Sequence, residues 1–187
     1  MNELITFELI PLNFQNNELV ETIKDFLVDV FQSEVIILPQ KQIPPQYRNV
    51  YRGQYEGFKL LQWLSNLRNA EASTLVGVAD VDAYVSGLNF IFGIADPKSR
   101  AALVFLERLK ESNDSLNIRF ISRVKKEVLH EVGHVLGLRH CINRKCVMVF
   151  SNSLYDTDFK EFKYCESCYA LLNFLGYSIN SKYLLSQ

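Results

Sequence analysis

The 187-residue sequence predicts a single α/β (α+β) domain in which helices pack on a mixed, twisted β-sheet. Three observations support this fold class. Short apolar runs alternate with amphipathic segments in the first half of the chain, several apolar runs then follow one another, and a long helical segment comes after them. The sequence contains no evident linker or repeat, so we expect one domain over residues 1–187.

The chain opens with a strand, a helix and a second strand. Ile5, Phe7 and Leu9 alternate with polar residues, which predicts a first strand with one buried face. Helical spacing of apolar residues predicts an amphipathic helix over 17–31, and a short β-branched run at 35–38 predicts the second strand. This order is typical of a sheet covered by helices.

The middle of the chain contains a second helix and further strands. The helix is predicted from about Gly53 to Leu67, with Phe58 among its inward-facing residues. Three strands are predicted at 75–78, 88–94 and 102–106. They complete the predicted sheet.

The last third of the chain begins with a polar turn at 113–115. A long helix should then run from near Leu116 to Gly137, and a final helix should span 165–175. We expect residues 1–137 to contain the sheet and the long helix, and residues 138–187 to form a smaller C-terminal subdomain.

The charge and hydropathy of the sequence indicate the cellular location and the kinds of partner that can be expected. The chain has 20 basic and 21 acidic residues, so its charge gives no reason to expect a nucleic-acid or membrane partner. The N-terminus does not resemble a signal peptide, and no apolar run is long enough to span a membrane. We therefore expect a cytoplasmic protein, with reduced cysteines, that works as a monomer.

A histidine motif lies at the end of the predicted long helix. Residues 130–140 read His-Glu-Val-Gly-His-Val-Leu-Gly-Leu-Arg-His and hold all three histidines of the chain. His130 and His134 are four apart, so both rings project from one helix face and can reach one Zn²⁺. Gly137 can adopt a left-handed turn that returns His140 to the same point. Three imidazoles leave one coordination position open, which is typical of catalytic zinc.

Glu131 is the candidate general base. It is rotated about 100° around the helix from His130, near the metal but not a ligand. Zinc lowers the pKa of a bound water to about 7, so a neighbouring carboxylate can take its proton at neutral pH. The alternative is a helix with ordinary surface histidines, which the five fixed positions of the motif disfavour.

The four cysteines form a second candidate site. Cys141 and Cys146 are spaced C-x4-C, and Cys165 and Cys168 are spaced C-x2-C. Two such pairs predict a closed tetrahedral zinc site that clamps the loop after the third histidine. Disulfides and free thiols are the alternatives, and the expected reducing compartment disfavours the first. The expected cofactors are therefore two zinc ions, one catalytic and one structural.

These motifs resemble a known family. The pattern HExxHxxGxxH at 130–140 is similar to that of the metzincin metalloproteases, which also have a methionine in a turn beneath the metal. The continuation HCx4CxM at 140–148, followed by the later CxxC, resembles the archaemetzincins in particular. Residues 52–55 and 87–90 show a weaker resemblance to the same family.

The resemblance implies a metzincin-like fold with the long helix beneath a substrate cleft. Met148 would lie under the zinc as an apolar base. One strand would edge the cleft and pair with an extended peptide, and residues 88–92 are the candidate, although an ordinary buried strand fits them equally well. Some metzincins have a tyrosine ligand two residues after the methionine, but Phe150 occupies that position here.

The predicted function is zinc-dependent hydrolysis of peptide bonds in a peptide or protein substrate. A hydrolase of a non-peptide amide or acyl compound is the first alternative. A catalytically silent, zinc-stabilised peptide-binding module is the second, and the presence of Glu131 argues against it.

A cluster of basic residues precedes the histidine motif. Arg119, Arg123, Lys125 and Lys126 predict a solvated helix face rather than a binding patch.

Overall fold

The computed structural model describes residues 5–70, 73–111 and 118–186. This part of the chain contains eight strands and five α-helices. The strands are β1 (Thr6–Leu12), β2 (Glu34–Ile37), β3 (Arg48–Asn49), β4 (Gln54–Glu56), β5 (Thr74–Ala79), β6 (Ala83–Tyr84), β7 (Gly93–Asp96) and β8 (Ala101–Phe105). The helices are α1 (Asn17–Phe31), α2 (Gly57–Ser65), α3 (Ile118–Val135), α4 (Leu154–Phe159) and α5 (Glu166–Phe174).

The main sheet is mixed, as the sequence predicts. Its strand order is β2-β1-β5-β8-β7, in which only the β7–β8 pair is antiparallel. A smaller sheet has the order β3-β4-β6. β7 therefore forms one edge of the main sheet.

Helices cover both faces of the main sheet. Apolar residues of α1 and α3 pack on one face, where Phe7, Val76 and Val104 are buried. Leu60 and Leu64 of α2 pack on the other face. α3 packs on the face that it shares with α1 and contacts β7 and β8.

The prediction that β1 has one buried face is wrong. Residues of both faces are buried because β1 lies between two parallel strands and under helices on both sides. Glu8, on the face taken as exposed, is 1% exposed. Its carboxylate accepts hydrogen bonds from the backbone N–H groups of Asn69 and Ala70, which satisfies the buried charge.

Two predicted elements differ around the second helix. α2 begins at Gly57 rather than Gly53, because Glu56 caps its N-terminus and the preceding residues form β4. Phe58 is 62% exposed, so its predicted inward position is wrong. The predicted strand at 88–94 is a loop as far as Phe92, and regular pairing with β8 begins at Gly93.

The C-terminal third contains α3, with α4 and α5 after it. The predicted polar turn at 113–115 and the predicted helix start at Leu116 lie outside the described residues. Gly137 lies two residues after the end of α3 and has a φ of +104°, which confirms it as the helix stop. α4 is a short helix that the sequence pattern did not reveal. Among the described helices, none combines the length and apolar character needed to cross a membrane.

The basic cluster on α3 is only partly solvated, so the predicted solvated face is wrong for two of its residues. Arg123 is 2% exposed and makes two hydrogen bonds, of 2.7 and 2.6 Å, to the Asp158 carboxylate. Lys126 is also buried, and its ammonium donates to the carbonyls of Thr157 and Asp158. These charges attach α4 to α3.

Candidate active site and cysteine cluster

The three histidines converge at the end of α3. His130 and His134 project from the same face of the helix, and the turn at Gly137 brings His140 back to them. One ring nitrogen from each histidine belongs to a group whose ligand atoms all lie within 4.8 Å of one another. The histidine site residues predicted from the sequence are thus together in space.

The hydrogen bonds of two rings fix their tautomers. His130 Nδ1 lies 2.7 Å from the Val147 carbonyl oxygen, and His134 Nδ1 lies 2.9 Å from the Leu138 carbonyl oxygen. A carbonyl only accepts, so each Nδ1 carries the proton and donates it. Each Nε2 then has a free lone pair, and the two Nε2 atoms are 3.1 Å apart. Two lone pairs directed at each other at this distance fit a shared cation.

The environment keeps the rings neutral. Burial lowers the pKa of His130 well below its ordinary value, and the Lys160 ammonium lowers it further. Burial also lowers the pKa values of His134 and of the more exposed His140. Neutral imidazole is the form that binds a metal ion, so protonation competes little with a ligand role at neutral pH.

A methionine supports the histidine cluster from within the core. Met148 is fully buried, and its Sδ lies only 2.4 Å from where a Cβ on Gly133 would be. The glycine between the two helix histidines therefore makes room for the methionine. Phe150 packs on the His140 ring with centroids 5.1 Å apart, on the opening side of the cluster.

Glu131 lies beside the histidines in an apolar setting. It is 5% exposed, and burial raises the pKa of its carboxyl well above the ordinary range, with a further contribution from Glu127. A Cβ on Gly93 would lie 2.5 Å from Glu131 Oε1, so the carboxylate fills the place of a missing side chain on β7. Glu131 makes no hydrogen bond to the part of the protein that the structure describes.

A cavity of about 460 Å³ opens over this site. The three histidines, Glu131 and Glu127 form one side of it. The loop that precedes β7 forms the opposite side with mostly apolar residues, among them Leu88, Phe90 and Phe92. This volume is in the range of small-molecule and peptide side-chain pockets.

The four cysteines also cluster. Their sulfur atoms all lie within 4.8 Å of one another, and all four are free thiols in the structure. The backbone N–H of Cys165 donates to Cys146 Sγ at 3.3 Å. Hydrogen bonding from Cys168 lowers the pKa of Cys146 to about 5 and raises the pKa of Cys168. One thiolate therefore forms readily, which suits a metal-binding set.

Short covalent links join the two clusters. Cys141 directly follows His140, and its N–H donates to the Met148 carbonyl at 2.9 Å. Cys146 directly precedes Val147, whose carbonyl accepts the proton of His130 Nδ1. The cysteine cluster thus positions the chain that orients two of the three histidines.

Sequence reasoning missed two features of the site. Gly93 makes space for Glu131, and Glu127 forms a buried ion pair of 3.0 Å with Lys160. Glu127 could have been identified as a site residue because it precedes His130 by three positions and therefore lies on the same helix face. The prediction that residues 88–92 form a cleft-edging strand is wrong: these residues line the cavity as a loop, and β7 is the sheet edge beside it.

Known proteins resemble this chain along most of its length. The family model of peptidase family M54 matches residues 3–173. The archaemetzincin of Methanocaldococcus jannaschii is 37% identical over 177 residues, which cover 91% of this chain and 94% of that protein. The archaemetzincin of Nanoarchaeum equitans is also 37% identical over 177 residues, covering 93% of this chain and 94% of that protein.

Solved structures show the same fold. The archaemetzincin of Archaeoglobus fulgidus, crystallised with malonate, superposes with a TM-score of 0.78 at 34% identity, covering 89% of this chain and 99% of that one. The archaemetzincin of Methanopyrus kandleri gives a TM-score of 0.79 at 31% identity, covering 92% of this chain and 95% of that one. This chain therefore belongs to peptidase family M54 and is a zinc metallopeptidase of the archaemetzincin type.

Proposed function

We propose that the chain hydrolyses peptide bonds at a zinc ion held by His130, His134 and His140, with Glu131 as general base. The observation that carries this proposal is the pair of Nε2 lone pairs 3.1 Å apart, with both Nδ1 protons donated to carbonyls. The buried carboxylate of Glu131 lies next to them. This donor set and its open side match a catalytic rather than a closed zinc site.

The residues of the chain supply binding and proton transfer. When bound, zinc supplies a Lewis acid that polarises a substrate carbonyl and makes a water molecule more acidic. Glu131 takes a proton from the attacking water and returns it to the leaving amine. The Val147 and Leu138 carbonyls keep two imidazoles in the tautomer that leaves Nε2 free.

The cysteine cluster holds a second, structural zinc ion in this proposal. Cys141, Cys146, Cys165 and Cys168 offer four sulfur ligands with no position left for substrate. Because its members flank His140 and Val147, this site would hold the histidine ligands in place rather than take part in the reaction.

One observation favours a peptide as substrate, and a second favours a catalytic site over a silent binding module. Within the described residues, no strand pairs with the outer edge of β7, which lies beside the cavity. An extended peptide can add to such an edge through main-chain hydrogen bonds. Gly93 of that strand also makes room for Glu131, which a silent binding module would not need.

Peptide cleavage by the zinc-loaded protein tests the proposal. A diverse peptide library is digested with the unmodified chain, with Glu131→Ala and with Glu34→Ala, which removes an exposed carboxylate of β2. We expect cleavage by the first and third proteins only, and mass spectrometry of the products gives the cut sites. Equal cleavage by Glu131→Ala contradicts the role of Glu131, and no cleavage with zinc bound favours a non-peptide substrate.

The expected partners and location stay predictions. They comprise a peptide or protein substrate, no nucleic-acid or membrane partner, a monomeric state and a cytoplasmic location.

A further inference from the structure

A second carboxylate lies on the cavity side of α3. Glu127 precedes Glu131 by one helical turn and lines the cavity, although only 3% of its surface is exposed. The reaction as proposed above does not use it. A buried carboxylate is costly unless its oxygens have partners, so the surroundings of each oxygen show what this residue can bind.

The two oxygens of the Glu127 carboxylate differ in their surroundings. Oε1 accepts from the Lys160 ammonium at 3.0 Å and from the Thr157 hydroxyl at 3.2 Å. No described residue donates a hydrogen bond to Oε2, and this oxygen is not among the sealed, unsatisfied atoms. Oε2 is therefore left for a donor that enters the cavity.

Lys160 balances the negative charge of Glu127 at this end of the cavity. Lys160 is 1% exposed and carries one positive charge against the one negative charge of Glu127. Because Lys160 already compensates the charge of Glu127, this pair offers no net negative charge to an additional ammonium group. A neutral donor such as a hydroxyl or an amide adds no charge to this buried site.

The remainder of the cavity is suited to an apolar body. Phe58, Leu88, Ile91 and Phe92 are among its lining residues, and no lysine or arginine is. The hydroxyl of Ser151, another lining residue, is buried without a hydrogen-bond partner among the described residues. Such a pocket holds the body of a ligand through apolar contacts. Its few polar groups fix the orientation by hydrogen bonding to the polar end of the ligand.

We propose that Glu127 is a specificity-determining residue, which selects a substrate side chain with an apolar body and a neutral hydrogen-bond donor at its tip. Tyrosine is the clearest case, and phenylalanine is the matched side chain without the donor. This inference rests on the proposed function, because it names the side chain that the peptidase site accepts. Phenylalanine would leave Glu127 Oε2 dehydrated and unpaired, which disfavours it.

Matched peptides test the inference. Short peptides of alanine and glycine carry either a single tyrosine or a single phenylalanine, so only one large side chain can fill the cavity. Binding to the zinc-loaded Glu131→Ala protein is measured by calorimetry, and cleavage by the unmodified protein is measured by chromatography. We expect the tyrosine peptide to be preferred by about 10-fold to 100-fold, the range for a hydrogen bond to a charged acceptor.

Two variants assign the preference to Glu127. Glu127→Gln replaces one carboxylate oxygen with an NH2 group and removes the charge. Glu127→Leu combined with Lys160→Met replaces the whole ion pair with apolar side chains of similar size. Such apolar replacement of a buried pair is often neutral or stabilising, so the double variant should fold, as thermal unfolding will show. In the double variant the tyrosine preference should fall to about one or invert. In Glu127→Gln it should fall only in part, because the neutral amide still offers the tyrosine hydroxyl a weaker, uncharged hydrogen bond.

The outcomes separate the inference from the proposed function. A wild-type preference of one or less, or a preference that persists in both Glu127 variants, overturns the role of Glu127. Failure of the Glu131→Ala protein to bind either peptide overturns it as well. Tyrosine-selective binding without any cleavage by the unmodified protein instead overturns the proposed function and leaves the inference supported.

Discussion

The side chain of Glu131 in α3 occupies the space that a side chain on Gly93 of β7 would need. A Cβ built on Gly93 would lie 2.5 Å from both Cγ and Oε1 of Glu131, closer than real atoms approach. The sheet edge and the candidate general base therefore fit together only because residue 93 has no side chain. The backbone of β7 thus fixes the position of the carboxylate beside the histidines.

Replacing Gly93 with alanine should displace Glu131 and lower catalysis with little change in zinc content. Loss of a general base typically costs about 10²-fold to 10⁴-fold, and we expect a displaced base to approach the lower end of that range in kcat. Gly77→Ala is the matched control, since its Cβ would contact Leu64 and Leu103 side chains at 2.8 Å in the core. The control should lose stability but keep kcat, and equal kcat for Gly93→Ala and wild type would contradict the account.

Gly133→Ala should act through Met148. The new Cβ would lie 2.4 Å from Met148 Sδ in a fully buried setting, and such overpacking typically destabilises by about 1–3 kcal/mol. Met148→Ala should also destabilise because it removes a fully buried side chain, but it relieves the clash, so the double variant should lose less stability than the sum of the two single variants, as chemical denaturation can show. If the two substitutions instead destabilise additively, the close contact between these residues is not the cause.

The ion pair between Arg123 and Asp158 predicts a dependence of stability on pH. Hydrogen bonds from Arg123 lower the pKa of Asp158 below its ordinary value of 3.8. A carboxyl with a depressed folded-state pKa contributes stability above its unfolded pKa and loses it as the pH falls through the folded value. The unfolding free energy of the wild type should therefore decline more steeply below about pH 4 than that of Asp158→Asn. Parallel curves for the two proteins would show that the pair contributes nothing.

Loss of one cysteine should weaken both proposed zinc sites. Cys168→Ala should release the zinc of the cysteine cluster, because three sulfurs leave the site incomplete. The same change should weaken zinc binding at the histidines by about 10-fold to 100-fold, since the cluster positions His140 and the Val147 carbonyl. Metal titration with a competing chelator measures both. Unchanged affinity at the histidines would show that the two clusters are independent.

The features that could be predicted from the sequence are those that depend on the spacing of nearby residues. The bounds of α1 were predicted correctly because its apolar residues repeat with the helical period. The two ligand clusters were found because fixed spacing along one helix, one turn and two cysteine pairs brings the side chains together. Gly137 was found as the helix stop for the same local reason.

Contacts between distant residues determine what the sequence did not reveal. The loop at 88–92 does not continue as a strand, because Arg52 and Gln54 both donate to the Asn89 carbonyl and hold it away from the sheet. Glu127 and Lys160 are 33 positions apart, so no periodic pattern links them. Burial of β1 on both faces likewise follows from the layers that cover it.

The most direct test of the central claim compares zinc content and peptide cleavage in the same preparations of wild type and Glu131→Gln. This substitution keeps the shape of the side chain and removes the base. We expect equal zinc content in the two proteins and a loss of kcat of at least about 10²-fold in the variant. Equal cleavage by both proteins at equal zinc content would contradict the claim that Glu131 is the general base of a zinc peptidase.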